Sequence, residues 1–80
     1  MDDNSILVRK DYGKITFSFR EVMDVQGINR NQLAQRAGIR FEVADRFYSG
    51  NIERMDIDVL ARVCYVLGCD VGDVVRYNKP

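Results

Sequence analysis

Asn29-Arg30-Asn31-Gln32-Leu33-Ala34-Gln35-Arg36-Ala37-Gly38-Ile39, followed by Ala44, Phe47 and Gly50, is the stretch whose reading decides the fold. Asn29 stands where a helix needs an N-cap, and Gln32 at N3 completes a capping box. Ile28 and Leu33 are spaced to staple the same entry. The pattern predicts a helix over 30–37, closed by Gly38, which takes the left-handed turn that a β-carbon disfavours. A further helix over about 41–48 follows within three residues, starting weakly from Arg40 and ending at Ser49-Gly50-Asn51. Ala34 falls where the two helices must cross, and a larger side chain there would push them apart. Leu33, Ala37, Ile39, Ala44 and Phe47 are expected to bury toward the flanking helices.

Working outward, Ser18 and Glu21 read as another capping box, with Phe17 and Val22 as its staple, opening a helix over 19–26 that stops at Gly27. Downstream, Asp56 caps a helix over 57–67 with Ile57, Leu60, Ala61, Cys64 and Leu67 at core spacing, and Gly68 stops it. Asp70 caps a last short helix through Val71, Val74 and Val75, with Asp73 favourably near its N-terminus. Upstream, Lys14-Ile15-Thr16-Phe17 alternates like an extended segment, and Ile6-Leu7-Val8 is an apolar island in an otherwise polar start. The organisation expected is an N-terminal arm or strand over 1–16, one helical domain over 17–77 and a tail over 78–80.

Composition bounds the function. Eighty residues make one domain, and a chain this short buries only roughly 60% of its unfolded surface. No apolar run is long enough to span a bilayer and Met-Asp-Asp-Asn is not a signal sequence, so a cytoplasmic protein is expected. Twelve basic and twelve acidic residues give zero net charge, but they are unevenly spread. Between Val25 and Arg54, Arg30, Arg36, Arg40, Arg46 and Arg54 outnumber Glu42, Asp45 and Glu53, whereas between Met55 and Val75 the acids Asp56, Asp58, Asp70 and Asp73 face Arg62 alone. There is no histidine, and Cys64 and Cys69 by themselves cannot supply tetrahedral zinc, so no metal or cofactor is expected and the cysteines read as packing residues. With no base, no Gly-rich phosphate loop and no paired-carboxylate spacing, an enzyme is not expected.

Two short helices around a glycine corner present the second as a rod that fits a DNA major groove. The unit from Arg30 to Phe47, with Leu33, Ala34, Ala37, Gly38, Ile39 and Ala44 at their spacing, resembles the Cro and phage-repressor (XRE) family of bacterial helix-turn-helix transcriptional regulators. The resemblance covers about 17–77, including Ile57-Asp58-Val59-Leu60-Ala61-Arg62-Val63-Cys64-Tyr65-Val66-Leu67-Gly68-Cys69 and Asp73-Val74-Val75. It implies an all-α fold, a compact five-helix lambda-repressor-like DNA-binding domain of the small stand-alone subgroup.

The resemblance also implies a sequence-specific transcriptional regulator, a repressor in the first instance, whose third helix reads double-stranded DNA. Phe41, Glu42, Asp45 and Arg46 are then the base-contact candidates. Arg46 suits guanine O6 and N7, Glu42 suits cytosine N4, and Phe41 suits a thymine methyl. Arg30, Arg40, Ser49, Asn51 and Arg54 are the phosphate-contact candidates. Arg30 departs from the Gln often found at its position, and the acidic, aromatic start of the third helix departs from the usual Ser, Thr, Gln or Arg. Those departures keep a second function class open, a protein-interaction module on the same fold, antirepressor or antitoxin-like. A homodimer is expected because one module covers only roughly 600–1,000 Å². Ile6-Leu7-Val8 with Phe17, or Val71, Val75 and Tyr77, are the candidate pairing surfaces.

Overall fold

The computed structural model describes Ser5 and residues 11–80, so the apolar island Ile6-Leu7-Val8 lies outside the described residues. The elements run β1 (Lys14–Phe17), α1 (Phe19–Gln26), α2 (Arg30–Ala37), α3 (Phe41–Ser49), α4 (Ile57–Leu67), α5 (Val71–Val74) and β2 (Val75–Asn78). Five helices stand close to their expected bounds, with α3 one residue longer and α5 one residue shorter than expected. No helix among the described residues is long and apolar enough to cross a membrane.

The corner is built as its sequence dictates. Asn29 accepts from the Gln32 amide at 2.8 Å while Gln32 Oε1 accepts from the Asn29 amide at 2.9 Å. Gly38 sits at φ 65° and ψ 40°, a left-handed conformation natural to glycine. Its exit is fixed by the Ile39 amide donating to Ala34 O at 3.0 Å. Arg62 on α4 reaches across to donate to the Gly38 carbonyl at 3.3 Å while pairing with Asp58 at 3.0 Å.

The core gathers one face of every helix. Phe19, Met23, Leu33, Val63 and Val74 are fully buried, and Ala37, Ala44, Phe47 and Leu67 close around them. The Phe47 ring meets Phe19 edge to face, centroids 4.7 Å apart, which locks α3 against α1. This cluster holds the α2–α3 pair as a unit, with α2 also packed on α4.

Three expectations need correction. The fold is not purely helical: β1 and β2 form an antiparallel two-stranded sheet with Ile15 opposite Tyr77 and Phe17 opposite Val75. Val75 therefore leaves α5 and starts the strand, because at φ −124° and ψ 127° it is already extended. Ser18 makes no side-chain cap bond. Its amide donates instead to Val74 O at 2.8 Å, so the residue serves the joint between β1 and α5, and at ψ 25° it lacks the extended backbone usual at a cap. On α4 the buried residues are Val63 and Leu67, flanked by half-buried Val59, Leu60, Cys64 and Val66, whereas Ile57 is 81% exposed and Ala61 faces solvent. The inward face is thus rotated from the one expected.

Candidate nucleic-acid interface

The site is the outer side of the α2–α3 pair. Ala44 and Phe47 point α3 into the core, which leaves Phe41, Glu42, Arg46 and Ser49 exposed and Asp45 half-buried on its outer side. Glu42 and Arg46, one turn apart, form one ridge; Phe41 and Asp45 form the neighbouring ridge, closer to α2. Arg40 lies at the N-cap with an extended backbone, φ −71° and ψ 153°, and gives no side-chain cap, leaving the N-terminus of α3 without one.

Beyond the C-terminus of α3, Arg46, Asn51, Glu53 and Arg54 line one shallow cavity. Two arginines and an asparagine thus share that cavity with a single glutamate. Ser49 Oγ donates to Arg46 O and accepts from the Asn51 amide, both at 3.3 Å, and so turns the chain from helix to loop. Its hydroxyl proton is spent locally in this arrangement.

The remaining two candidates are brought into direct contact. Arg30, the first residue of α2, donates from Nη1 to Asp45 Oδ1 at 2.5 Å. Its guanidinium carbon lies 5.5 Å from the Phe41 ring centroid and 5.7 Å from that of Tyr48, within cation–π range. Tyr48 was not among the residues singled out from sequence, yet it organises this edge. Its hydroxyl donates to Asp24 Oδ1 at 3.0 Å, and Arg20 on α1 lies 5.3 Å from its ring centroid. Only an aromatic at the partly buried end of α3 signalled it; its partners are distant in sequence.

The cysteines stand apart from this surface. Both are free and half-buried. Partial burial, the neighbouring Cys64 and the carboxylates of Asp73 and Asp70 push the Cys69 thiol up to about 11. A thiol held protonated at neutral pH is a poor nucleophile and a poor ligand.

Two helices crossing at a glycine turn, the second presented outward, define a helix-turn-helix protein. The chain belongs to the Cro/C1-type helix-turn-helix DNA-binding domain family, whose model matches residues 18–80. Its fold is similar to that of a candidate DNA-binding protein from Bacteroides fragilis, with a TM-score of 0.67, 17% identity, and coverage of 79% of this chain and 100% of the other. It is likewise similar to the transcriptional regulator VanUg, with a TM-score of 0.62, 18% identity, and coverage of 85% and 91%. No curated protein sequence matches the chain.

Proposed function

We propose that this protein is a sequence-specific DNA-binding transcriptional regulator that inserts α3 into the major groove, acting as a homodimeric repressor. The observation that carries the reading is the presentation of α3. Its inner face is locked by Ala44 and Phe47, and its outer face offers Phe41, Glu42 and Arg46 in the arrangement a groove-reading helix needs. Membership of a DNA-binding family and fold likeness to a candidate DNA-binding protein and to a transcriptional regulator support it.

In this reading Arg46 bonds guanine, Glu42 accepts from a cytosine amine, and Phe41 packs on a thymine methyl. Arg40, Asn51 and Arg54 meet phosphates on either side of the helix, and Ser49 joins them by releasing its bond to Arg46 O. Pairing of two copies would use the exposed Val71 and Tyr77 with Val75 beside them.

Selection of bound sequences from random DNA, followed by titration at two salt concentrations, tests the proposal. Specific binding predicts a saturable site whose affinity falls steeply with salt. Arg46→Ala should relax the preference at one base pair, a discrimination of about 1–3 kcal/mol, without abolishing binding to all sequences. Recovery of no enriched sequence overturns the reading. The exposed aromatic Phe41 beside Glu42 favours the second reading in that event, a protein partner docking on α3.

A further inference from the structure

We infer that Arg30 is a positioning residue for the recognition helix: it neutralises Asp45 and fixes the Phe41 ring, and does not serve as a phosphate contact. The inference rests on the DNA-binding reading for its consequence but on side-chain geometry for its substance.

Three contacts converge on one guanidinium. Its Nη1 donates to Asp45 Oδ1, and its carbon lies 5.5 Å and 5.7 Å from the centroids of Phe41 and Tyr48. Phe41, Asp45 and Tyr48 belong to the first, second and last parts of α3, so a single side chain from the start of α2 spans most of the helix that is presented. The anchor is itself held. Tyr48 donates to Asp24, and Arg20 packs on the same ring while pairing with Asp24 at 3.8 Å. Helices α1, α2 and α3 are therefore joined along one edge by charges and rings, on the side away from Arg46.

The electrostatic consequence is specific. Glu42, Asp45 and Arg46 are the charged groups along α3, a net excess of one negative charge facing a polyanion. A bare Asp45 carboxylate at that depth would repel the phosphates beside it. Bonded to Arg30 it enters as half of a neutral pair, and Arg46 is left to read a base against Glu42 alone. Arg30 also lies over the Phe41 ring, 5.5 Å from its centroid, and so covers one face of the ring that would meet a methyl group.

The test uses the full chain, its selected DNA site, and four proteins: wild type, R30A, D45N and R30A/D45N. Binding is measured against potassium chloride concentration. If Arg30 masks Asp45, R30A weakens binding by on the order of tenfold, and the slope of log K against log salt stays at the wild-type value. Adding D45N to R30A then recovers most of the loss, because the uncovered carboxylate is gone. If Arg30 is instead a phosphate contact, R30A lowers the slope by about 0.9 and loses the same affinity with or without D45N, which overturns the inference.

A second measurement is independent of DNA. The Arg30 side-chain proton resonances should be shifted upfield by the two rings in the free protein, and F41L should move them toward unperturbed positions. Unshifted Arg30 resonances in wild type overturn the positioning role outright. Ring-shifted resonances in a protein that selects no DNA sequence would support it while the DNA reading falls.

Discussion

At the scale of single residues, the chain separates groups that build the interface from groups that only sit near it. Asn29 is a builder. Its side chain and that of Gln32 satisfy each other's amides at the entry of α2. Asn29→Ala should cost about 0.5–2 kcal/mol, read as a lower urea midpoint with an unchanged slope. Its position, adjacent to Arg30, makes the loss local to the edge that carries α3. Cys69 lies away from the interface and gives a pH signature. With its thiol pushed up to about 11, the folded protein keeps the proton that an unfolded chain releases near its usual value of about 8.5. This contribution to stability is complete below that value and is lost as pH rises toward 11. Alkylation of Cys69 at pH 8 should be far slower than that of a free thiol, and should keep rising with pH up to about 11 before levelling off. A rate at pH 8 equal to that of the unfolded chain contradicts the assignment. Residue identity alone announced Asn29 and Gly38, because their tasks are local. The Arg30–Asp45 pair was illegible, since it joins two helices and depends on where a glycine corner finally places them.

Elements differ in how openly they declare their faces. Helix α2 has few apolar residues and α3 sets Glu42, Asp45, Arg46 and Ser49 on the side opposite Ala44 and Phe47, so Leu33, Ala37, Ala44 and Phe47 could point only one way. Helix α4 is apolar almost all round, with Ile57, Val59, Leu60, Ala61, Val63, Cys64, Tyr65, Val66 and Leu67, and its sequence supports more than one inward face. Packing on α2 chose the face centred on Val63 and left Ile57 and Tyr65 81% and 89% exposed. The choice is testable by a pair of substitutions. Val63→Ala should destabilise by about 1–3 kcal/mol because it opens a void in a filled core, whereas Ile57→Ser should stay within about 0.5 kcal/mol of wild type. Thermal melts of the two variants decide between the faces, and a reversed order would restore the one expected from spacing. The strand β2 escaped notice for a related reason. Val74-Val75-Arg76-Tyr77 continues the apolar spacing of α5, and only the presence of β1 alongside makes an extended conformation profitable for it.

For the whole molecule, the sheet ties the two ends of the described chain together, with Lys14 opposite Asn78. Its two strands are short and largely exposed, and an isolated pair of this kind is marginal in water. It persists because the Ser18 amide is bonded to Val74 O, the Tyr77 hydroxyl donates to Tyr12 O at 2.6 Å, and Asn78 Nδ2 donates to Thr16 Oγ1 at 2.8 Å. Gly13 allows the approach: a β-carbon there would stand 2.3 Å from Asn78 O. Hydrogen exchange should find the strand amides opening at lower free energy than those of Leu33, Ala44 and Val63, whose side chains are buried. Equal protection would make the sheet part of the global folding unit. During synthesis, β1 leaves the ribosome before any helix of the described residues, yet its pairing residues are the last elements of the described chain to appear. The two helices that make the corner can therefore assemble while β1 is still unpaired, and closing the sheet is a long-range event that pays its loop entropy late. The joint between Ser18 and Val74 is thus a clasp fastened after the α2–α3 corner is already shaped.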